Sequence, residues 1–317
     1  MTEMRYRRLG NSGLVVSVVG LGCNNFGRKV DEAGTRSVVD AALEHGINLF
    51  DTSDTYGDPQ GSSEVLVGKA LRGRRDDVVI ATKFGMDMNG LNGVDHGARG
   101  SRRYVMRAVE ASLRRLDTDY IDLYQIHRPD ESTPIDETLS ALDDLVRDGK
   151  VRYLGNSNFA GWQIADAAWT AKTYGRTPFV SAQNQYSWLH REVEQDVLPA
   201  CEHFGLGMLP FFPLASGLLT GKYRRGAAAP TGGRLSEPRY ASRLEAAAWD
   251  TIESIDSFAK ARGLSMLDVA IGGLAAQPAV ASVIAGATRP EHVGANAAAG
   301  RWVPTVEDLA ELRDITS

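Results

Sequence analysis

Cysteine is nearly absent from this 317-residue sequence: Cys23 and Cys201 stand far apart, with no others. A disulfide framework is therefore excluded, and two free thiols suit a reducing compartment, so a cytoplasmic protein is expected. Excess positive charge is missing too, with 35 Lys and Arg against 40 Asp and Glu and a formal net charge of -5. Nucleic acids and anionic membranes both require concentrated positive charge, so neither is an expected partner. No apolar run is long enough to cross a bilayer. The basic start Met-Thr-Glu-Met-Arg-Tyr-Arg-Arg has no continuous apolar segment behind it to act as a leader. Also missing is a Gly-x-Gly-x-x-Gly after the first apolar run, which weighs against an open doubly wound sheet.

What is present is core-forming material, 43% hydrophobic against 24% charged. Positions 6–9 and 14–18 flank Gly10-Asn11-Ser12-Gly13 and read as a β-hairpin. Eight short apolar runs follow, at 18–22, 47–51, 78–82, 120–126, 151–155, 179–182, 207–210 and 280–285. Helical patterns lie between them. The first is capped by Asp31, carries Val38, Val39, Ala42 and Leu43 on one stripe, and closes at Gly46. Others cover 62–71 with Ser62 as cap, 101–116, 162–174, 192–204, 239–262, 265–276 and 290–299. One more is opened by Pro134 at its first position and ended by Asp148-Gly149. A final helix over 305–314 is capped by Thr305. Buried strands alternating with helices imply parallel pairing through right-handed crossovers. Eight such units close into a (β/α)8 TIM barrel, one domain over 1–317, with the hairpin covering its N-terminal end. The long loops at 85–100 and 212–238 would then shape substrate specificity.

In such a barrel the C-terminal strand ends form one ring at one mouth. Here the ring would hold Gly22-Cys23-Asn24, Asp51 with Tyr56 in the loop beyond it, Lys83, His127, Ser157-Asn158, Gln183, Phe211 and Gly286-Ala287-Thr288. A carboxylate, a phenol, an ammonium and an imidazole from three neighbouring strands thus meet. A free phenol, with a pKa of about 10, is poorly matched to proton transfer at neutral pH. An ammonium beside it favours the phenolate, so Lys83, kept charged by Asp51, is expected to lower the pKa of Tyr56. His127 can hydrogen-bond the reacting oxygen. One imidazole without a thiolate cluster is a poor metal set, and no metal is expected. No Ser/His/Asp or Cys/His set supplies a nucleophile for a carbonyl carbon. The missing component would be a hydride from a nicotinamide, which side chains cannot carry. Ser157, Asn158 and Gln183 have groups that bind a carboxamide, and Phe211 offers a stacking face. Residues 214–218 with Lys222 could wrap a pyrophosphate, and Thr288-Arg289 open a helix N-terminus that favours phosphate. Plainer alternatives stay open: a structural Asp51–Lys83 pair, strand-end roles for Asn158 and Gln183, Phe211 in the core, and Arg289 on a solvated face.

Several segments recur together in one order. They are 46–57 (Gly-Ile-Asn-Leu-Phe-Asp-Thr-Ser-Asp-Thr-Tyr-Gly), 82–85 (Thr-Lys-Phe-Gly), 124–130 (Tyr-Gln-Ile-His-Arg-Pro-Asp), 149–155 (Gly-Lys-Val-Arg-Tyr-Leu-Gly), 157–159 (Ser-Asn-Phe) and 213–223 (Pro-Leu-Ala-Ser-Gly-Leu-Leu-Thr-Gly-Lys-Tyr). On these the chain resembles an aldo-keto reductase along nearly its full length, and looks most like the bacterial and potassium-channel-β-like branch. The resemblance implies a catalytic tetrad of Asp51, Tyr56, Lys83 and His127, and reduction of a small-molecule carbonyl substrate in the cytoplasm. It also implies an extended cofactor, usually NADP(H), held without a Rossmann domain. Implied cofactor contacts are Gly22, Asn24, Asp51, Ser157, Asn158, Gln183 and Phe211, then Pro213, Leu214, Ser216, Gly217 and Lys222. Gly286, Thr288, Arg289, His292 and Asn296 complete them. There are departures. Gly286-Ala287 and His292 stand where mammalian-type members place a Lys-Ser pair and an Arg for the 2'-phosphate, so Arg289 is the substitute and NAD(H) stays possible. Asn24 replaces a substrate-pocket tryptophan, which makes that wall more polar and open. Two other classes fit the same residues: a nucleotide-sensing, partner-binding subunit, and a lyase using Lys83 as a Schiff-base nucleophile.

Overall fold

The computed structural model describes residues 3–231, 234–237 and 240–317. An antiparallel hairpin, β1 (Tyr6–Arg8) and β2 (Val15–Ser17), opens the chain and pairs Tyr6 with Ser17. The repeating units then run β3 (Val19–Gly22), α1 (Glu32–Glu44), β4 (Leu49–Asp51), α2 (Ser62–Ala70), β5 (Val79–Phe84) and α3 (Arg102–Leu116). They continue with β6 (Ile121–Ile126), α4 (Ile135–Arg147), β7 (Val151–Ser157), α5 (Gly161–Tyr174), β8 (Phe179–Gln183), α6 (Val197–Phe204) and β9 (Gly207–Met208). The last elements are α7 (Ala241–Glu245), α8 (Trp249–Ala261), α9 (Met266–Ala275), β10 (Val283–Gly286), α10 (Pro290–Ala299) and α11 (Val306–Ile315).

Strands β3 to β10 form one parallel sheet in the order β10-β3-β4-β5-β6-β7-β8-β9. Backbone bonds close it into a ring: Met208 N–H donates to Ala279 O (2.7 Å), Ala281 N–H to Met208 O (2.9 Å) and Ile284 N–H to Pro210 O (2.9 Å). The expected (β/α)8 barrel is therefore present. Side chains along a strand alternate between faces, and that alternation positions the site. Leu49, Val79, Ala81 and Leu123 point inward and pack with Leu9, Val16, Leu209, Ala281 and Ile284 into an apolar plug. Phe50, Ile80 and Tyr124 point outward beneath the helices. Two residues further along, the same inward rows reach Asp51, Lys83 and Gln125. The barrel interior thus turns from apolar to polar toward its C-terminal mouth.

The hairpin seals the opposite end. Leu9 and Val16 belong to the plug, Asn11 N–H donates to Gly205 O (2.8 Å), and Arg7 Nη1 reaches Val280 O (2.9 Å). Gly10 makes this fit possible. Its φ is +56°, and a Cβ there would lie 2.4 Å from Gly205 O and 2.7 Å from both Gly207 N and Val180 O, all backbone atoms that cannot rotate away. Gly10→Ala is therefore expected to destabilise the fold by about 1–3 kcal/mol, read as a lowered thermal midpoint.

Some boundaries depart from the sequence reading. The helix expected over 192–204 is a 3₁₀ turn, Glu192–Glu194, followed by α6. Pro199 explains the break: it has no N–H to bond back, so it is tolerated only in the first turn of a helix. The helix expected over 239–262 divides into α7 and α8, although Ala246, Ala247 and Ala248 favour helix; its expected start at position 239 lies outside the described residues. Ser62 does not cap α2. Gly61 holds the cap at φ +87°, while Ser62 begins the helix with its hydroxyl unpartnered. Pro134 sits at the cap of α4, one position early. Asp31 and Thr305 do cap α1 and α11, accepting from Gly34 N–H and Asp308 N–H. Cys23 and Cys201 are both free and buried. Among the described residues no helix is long and apolar enough to cross a membrane.

Candidate active site

Lys83, at the end of β5, is wholly buried, and its ammonium has three hydrogens to place. It donates to Asp51 Oδ1 (2.8 Å), Asp51 Oδ2 (2.7 Å) and Thr52 O (2.9 Å). Burial alone would lower this ammonium's pKa, but Asp51 and Tyr56 together outweigh burial and hold it above the usual lysine range. Asp51 Oδ1 also accepts from Gln183 Nε2 (2.8 Å) and Gln125 Nε2 (3.3 Å). Half-buried Tyr56 follows in the loop after β4, with its ring centroid 5.1 Å from Lys83 Nζ. His127, just past β6, stands edge-on to that ring with centroids 5.8 Å apart. The four side chains therefore converge on one mouth, as expected from the strand ends.

The sign of the Tyr56 shift differs from the expectation. Burial pushes the phenol above its ordinary value; Lys83 pulls it down, and Asp51, which neutralises Lys83, pushes it up again. The phenol is thus held protonated at neutral pH. His127 moves the other way. Burial first, then Lys83 and Arg128, lower its pKa well below the usual range, so the imidazole is neutral. Its Nδ1 lies 3.1 Å from Ser53 Oγ.

The adjoining wall is built by β7, β8 and the loops after β9 and β10. Ser157 donates its hydroxyl to Gln183 O (2.8 Å), and Asn158, at φ +61°, donates its amide to His127 O (3.0 Å) and Ser157 Oγ (3.0 Å). Gln183 spends its amide nitrogen on Asp51. These three lock strand ends and the carboxylate together, and what they offer outward is chiefly carbonyl and hydroxyl oxygen. Phe211 is half-buried against Phe212. Pro213 is buried and Leu214 half-buried, and the following Ala215, Ser216 and Gly217 run at φ +45°, +62° and +100°. Lys222 folds back over Gly217, where a Cβ would lie 3.7 Å from its Nζ. Across from them, the ends of β3 and β10 adjoin: a Cβ on Gly286 would find Asn24 Oδ1 and Gly22 O only at 3.9 Å. Asn296 Nδ2 reaches Gly286 O (3.5 Å). At the N-terminus of α10, His292 contacts Thr288 Oγ1 (3.2 Å) and Arg289 Nη2 (3.0 Å). Burial, Arg289 and Lys222 all lower the pKa of His292. Neither Arg289 nor Lys222 pairs with a carboxylate among the described residues. Positive groups crowded at a helix N-terminus make a site for an anion.

The sequence model of the Aldo/keto reductase family matches residues 18–317. The chain belongs to this family. It is 35% identical over 315 residues to a probable voltage-gated potassium channel subunit beta of Arabidopsis thaliana, covering 96% of this chain and 94% of that protein. To an uncharacterized oxidoreductase of Bacillus subtilis it is 38% identical over 296 residues, covering 92% and 89%. To the L-glyceraldehyde 3-phosphate reductase of Escherichia coli K12 it is 34% identical over 323 residues, covering 98% and 92%. The chain is accordingly an oxidoreductase of the aldo/keto reductase family.

Several members of this reductase's mouth escaped sequence reasoning. Gln125 bonds Asp51 from the C-terminal end of β6; it stood inside the 124–130 segment, but nothing in the sequence turned its amide toward Asp51. Ser53 lay inside the segment already singled out, yet its link to His127 joins residues 74 positions apart. Arg243 donates to Ser216 Oγ (3.2 Å) from α7, and nothing local marked it. Cys23 has a thiol that burial pushes well above its usual range, consistent with packing.

Proposed function

We propose that this single-domain barrel is an NADP(H)-dependent reductase of aldehyde or ketone carbonyls, acting in the cytoplasm. The observation that carries the reading is the convergence of a protonated phenol, a buried ammonium–carboxylate pair and a neutral imidazole at one mouth beside an anion-seeking wall. The residues fit the cofactor: Lys222, Arg289, Thr288 and His292 offer unpaired positive charge and donors to its phosphates. Phe211 offers a stacking face, and Ser157, Asn158 and Gln183 line the carboxamide end. Gly22, Asn24, Pro213, Leu214, Ser216, Gly217, Gly286 and Asn296 shape the remaining groove. When bound, the cofactor supplies hydride to the carbonyl carbon. Tyr56 donates its proton to the carbonyl oxygen as negative charge develops there, and His127 aligns that oxygen through a hydrogen bond. Lys83 stabilises the phenolate left behind, and Asp51 keeps Lys83 charged and fixed. Titration with NADPH and NADH by fluorescence, followed by an aldehyde and ketone panel, tests the reading; no turnover with either cofactor would overturn it.

Arg289→Ala is expected to weaken NADPH roughly tenfold or more while leaving NADH nearly unchanged, because a charge-assisted hydrogen bond to the 2'-phosphate is lost. Equal weakening of both would remove Arg289 from that role. A second reading is favoured by the similarity to a channel subunit: a dinucleotide-binding partner protein with little turnover. Tight NADPH binding with only slow single turnover across the panel would select it.

A further inference from the structure

Behind His127 lies a buried cluster that the proposed reaction does not use. Asp54 is fully buried, and its backbone N–H donates to Lys83 O (3.2 Å). Its Oδ2 accepts from Asn92 Nδ2 (3.1 Å), and its Oδ1 faces Ser53 Oγ at 3.2 Å. Ser53 Oγ in turn lies 3.1 Å from His127 Nδ1. Arg115 fixes the direction of this chain. A guanidinium can only donate, so the Asn92 atom 3.3 Å from Arg115 Nη1 must be Oδ1, which turns the amide nitrogen toward Asp54. A proton on Asp54 therefore belongs on Oδ1, pointing at Ser53.

The surroundings make that proton available. Glu64, also fully buried, takes Arg115 Nε and Thr82 Oγ1 at 2.6 Å each, whereas Asp54 receives only neutral donors. The other ionisable groups facing Asp54 are the phenols of Tyr104 and Tyr124. Burial and then Glu64 push the Asp54 carboxyl up to about 8, against the opposing pull of Arg115, Ser53 and Asn92. His127, being neutral, must choose one ring nitrogen for its hydrogen.

We propose that Asp54, Ser53 and His127 form a proton relay in which the protonation state of Asp54 selects the tautomer of His127. With Asp54 protonated, its Oδ1–H donates to Ser53 Oγ, which also accepts Thr55 N–H (3.3 Å). Both serine lone pairs are then filled, and two acceptors stand within reach of the serine hydrogen, Thr55 Oγ1 (3.1 Å) and His127 Nδ1 (3.1 Å). The buried imidazole nitrogen is the stronger base and has no other partner, whereas the half-buried Thr55 hydroxyl can turn to water, so the hydrogen goes to Nδ1 and the imidazole carries its own on Nε2. With Asp54 ionised, Ser53 donates to the carboxylate and accepts Nδ1–H. The change balances by three shifts: the Asp54 hydrogen passes to Ser53 Oγ, the serine hydrogen passes to Nδ1, and the Nε2 hydrogen leaves to solvent. Nε2 has no hydrogen-bond partner among the described residues, so it is the nitrogen left to face substrate. Nε2–H can donate to a carbonyl oxygen, whereas bare Nε2 accepts from an alcohol. The relay thus favours reduction below the transition and disfavours it above.

The consequence for the reaction rests on the proposed role of His127; the relay itself can be tested without turnover. Nitrogen NMR of the full chain labelled at histidine, from pH 6 to 10, should show the protonated and bare nitrogens of His127 exchanging places near pH 8. In Asp54→Asn the Nε2–H form should persist at every pH, because Asn92 holds the new carbonyl and directs the new NH₂ at Ser53. Ser53→Ala should also abolish the exchange, and it carries the test if Asp54→Asn fails to fold. An invariant tautomer in the unmodified protein, or an unchanged midpoint in either folded variant, overturns the proposal. Failure of the reductase reading would instead appear as absent turnover with the exchange intact.

Discussion

Tyr56→Phe is expected to lower kcat by about 10²–10⁴-fold while leaving cofactor affinity nearly unchanged, the range a positioned proton donor contributes. The substitution removes one oxygen from a half-buried ring and leaves its edge contact with His127 in place, so loss of fold would not explain the loss of rate. The comparison to make is single-turnover oxidation of bound NADPH against equilibrium binding by fluorescence. Because burial holds the phenol protonated, the unmodified enzyme should keep its proton donor through neutral pH and lose it only as alkaline pH ionises Tyr56. The variant should lose that alkaline dependence together with its rate. Retention of most of the activity in Tyr56→Phe would sink the assignment, and attention would pass to Lys83 as a nucleophile.

The barrel and the rim residues were legible because each depended on local pattern. Eight apolar runs sufficed for the strands, and their C-terminal ends sufficed to bring Asp51 and Lys83 to one rim; in the structure, alternation along β4 and β5 sets both on the inner face above Leu49 and Ala81. The further residues tied to that pair and to His127 were not legible. Gln183 reaches Asp51 across 132 positions, and Ser53 reaches His127 across 74; such pairings exist only once the ring has closed. The direction of the Tyr56 shift was misjudged for a related reason. A sequence shows which charges can neighbour a phenol, but not how much water the fold removes from it. The split near Pro199 was readable in principle, since a proline cannot sit in the second turn of a helix. The break between α7 and α8 has no comparable local signal.

Lys83→Met should destabilise the protein by about 3–5 kcal/mol, the cost of leaving one member of a buried ion pair without its partner. The side chain it replaces is wholly buried and supplies both of Asp51's shortest charged contacts, so neither water nor a neighbouring cation can substitute. Gln183 and Gln125 would remain as donors to Asp51 Oδ1, but a neutral amide compensates a carboxylate only in part. A structural pair with no catalytic part would show the same unfolding behaviour, so activity must be read separately. Asp51→Asn discriminates: it leaves Lys83 with Thr52 O and an amide, and should lower kcat for carbonyl reduction through weaker support of the phenolate at Tyr56. Loss of stability in both variants with kcat per folded molecule intact would reduce Asp51 and Lys83 to a rim ion pair. Loss of both properties would tie the pair to the proton donor.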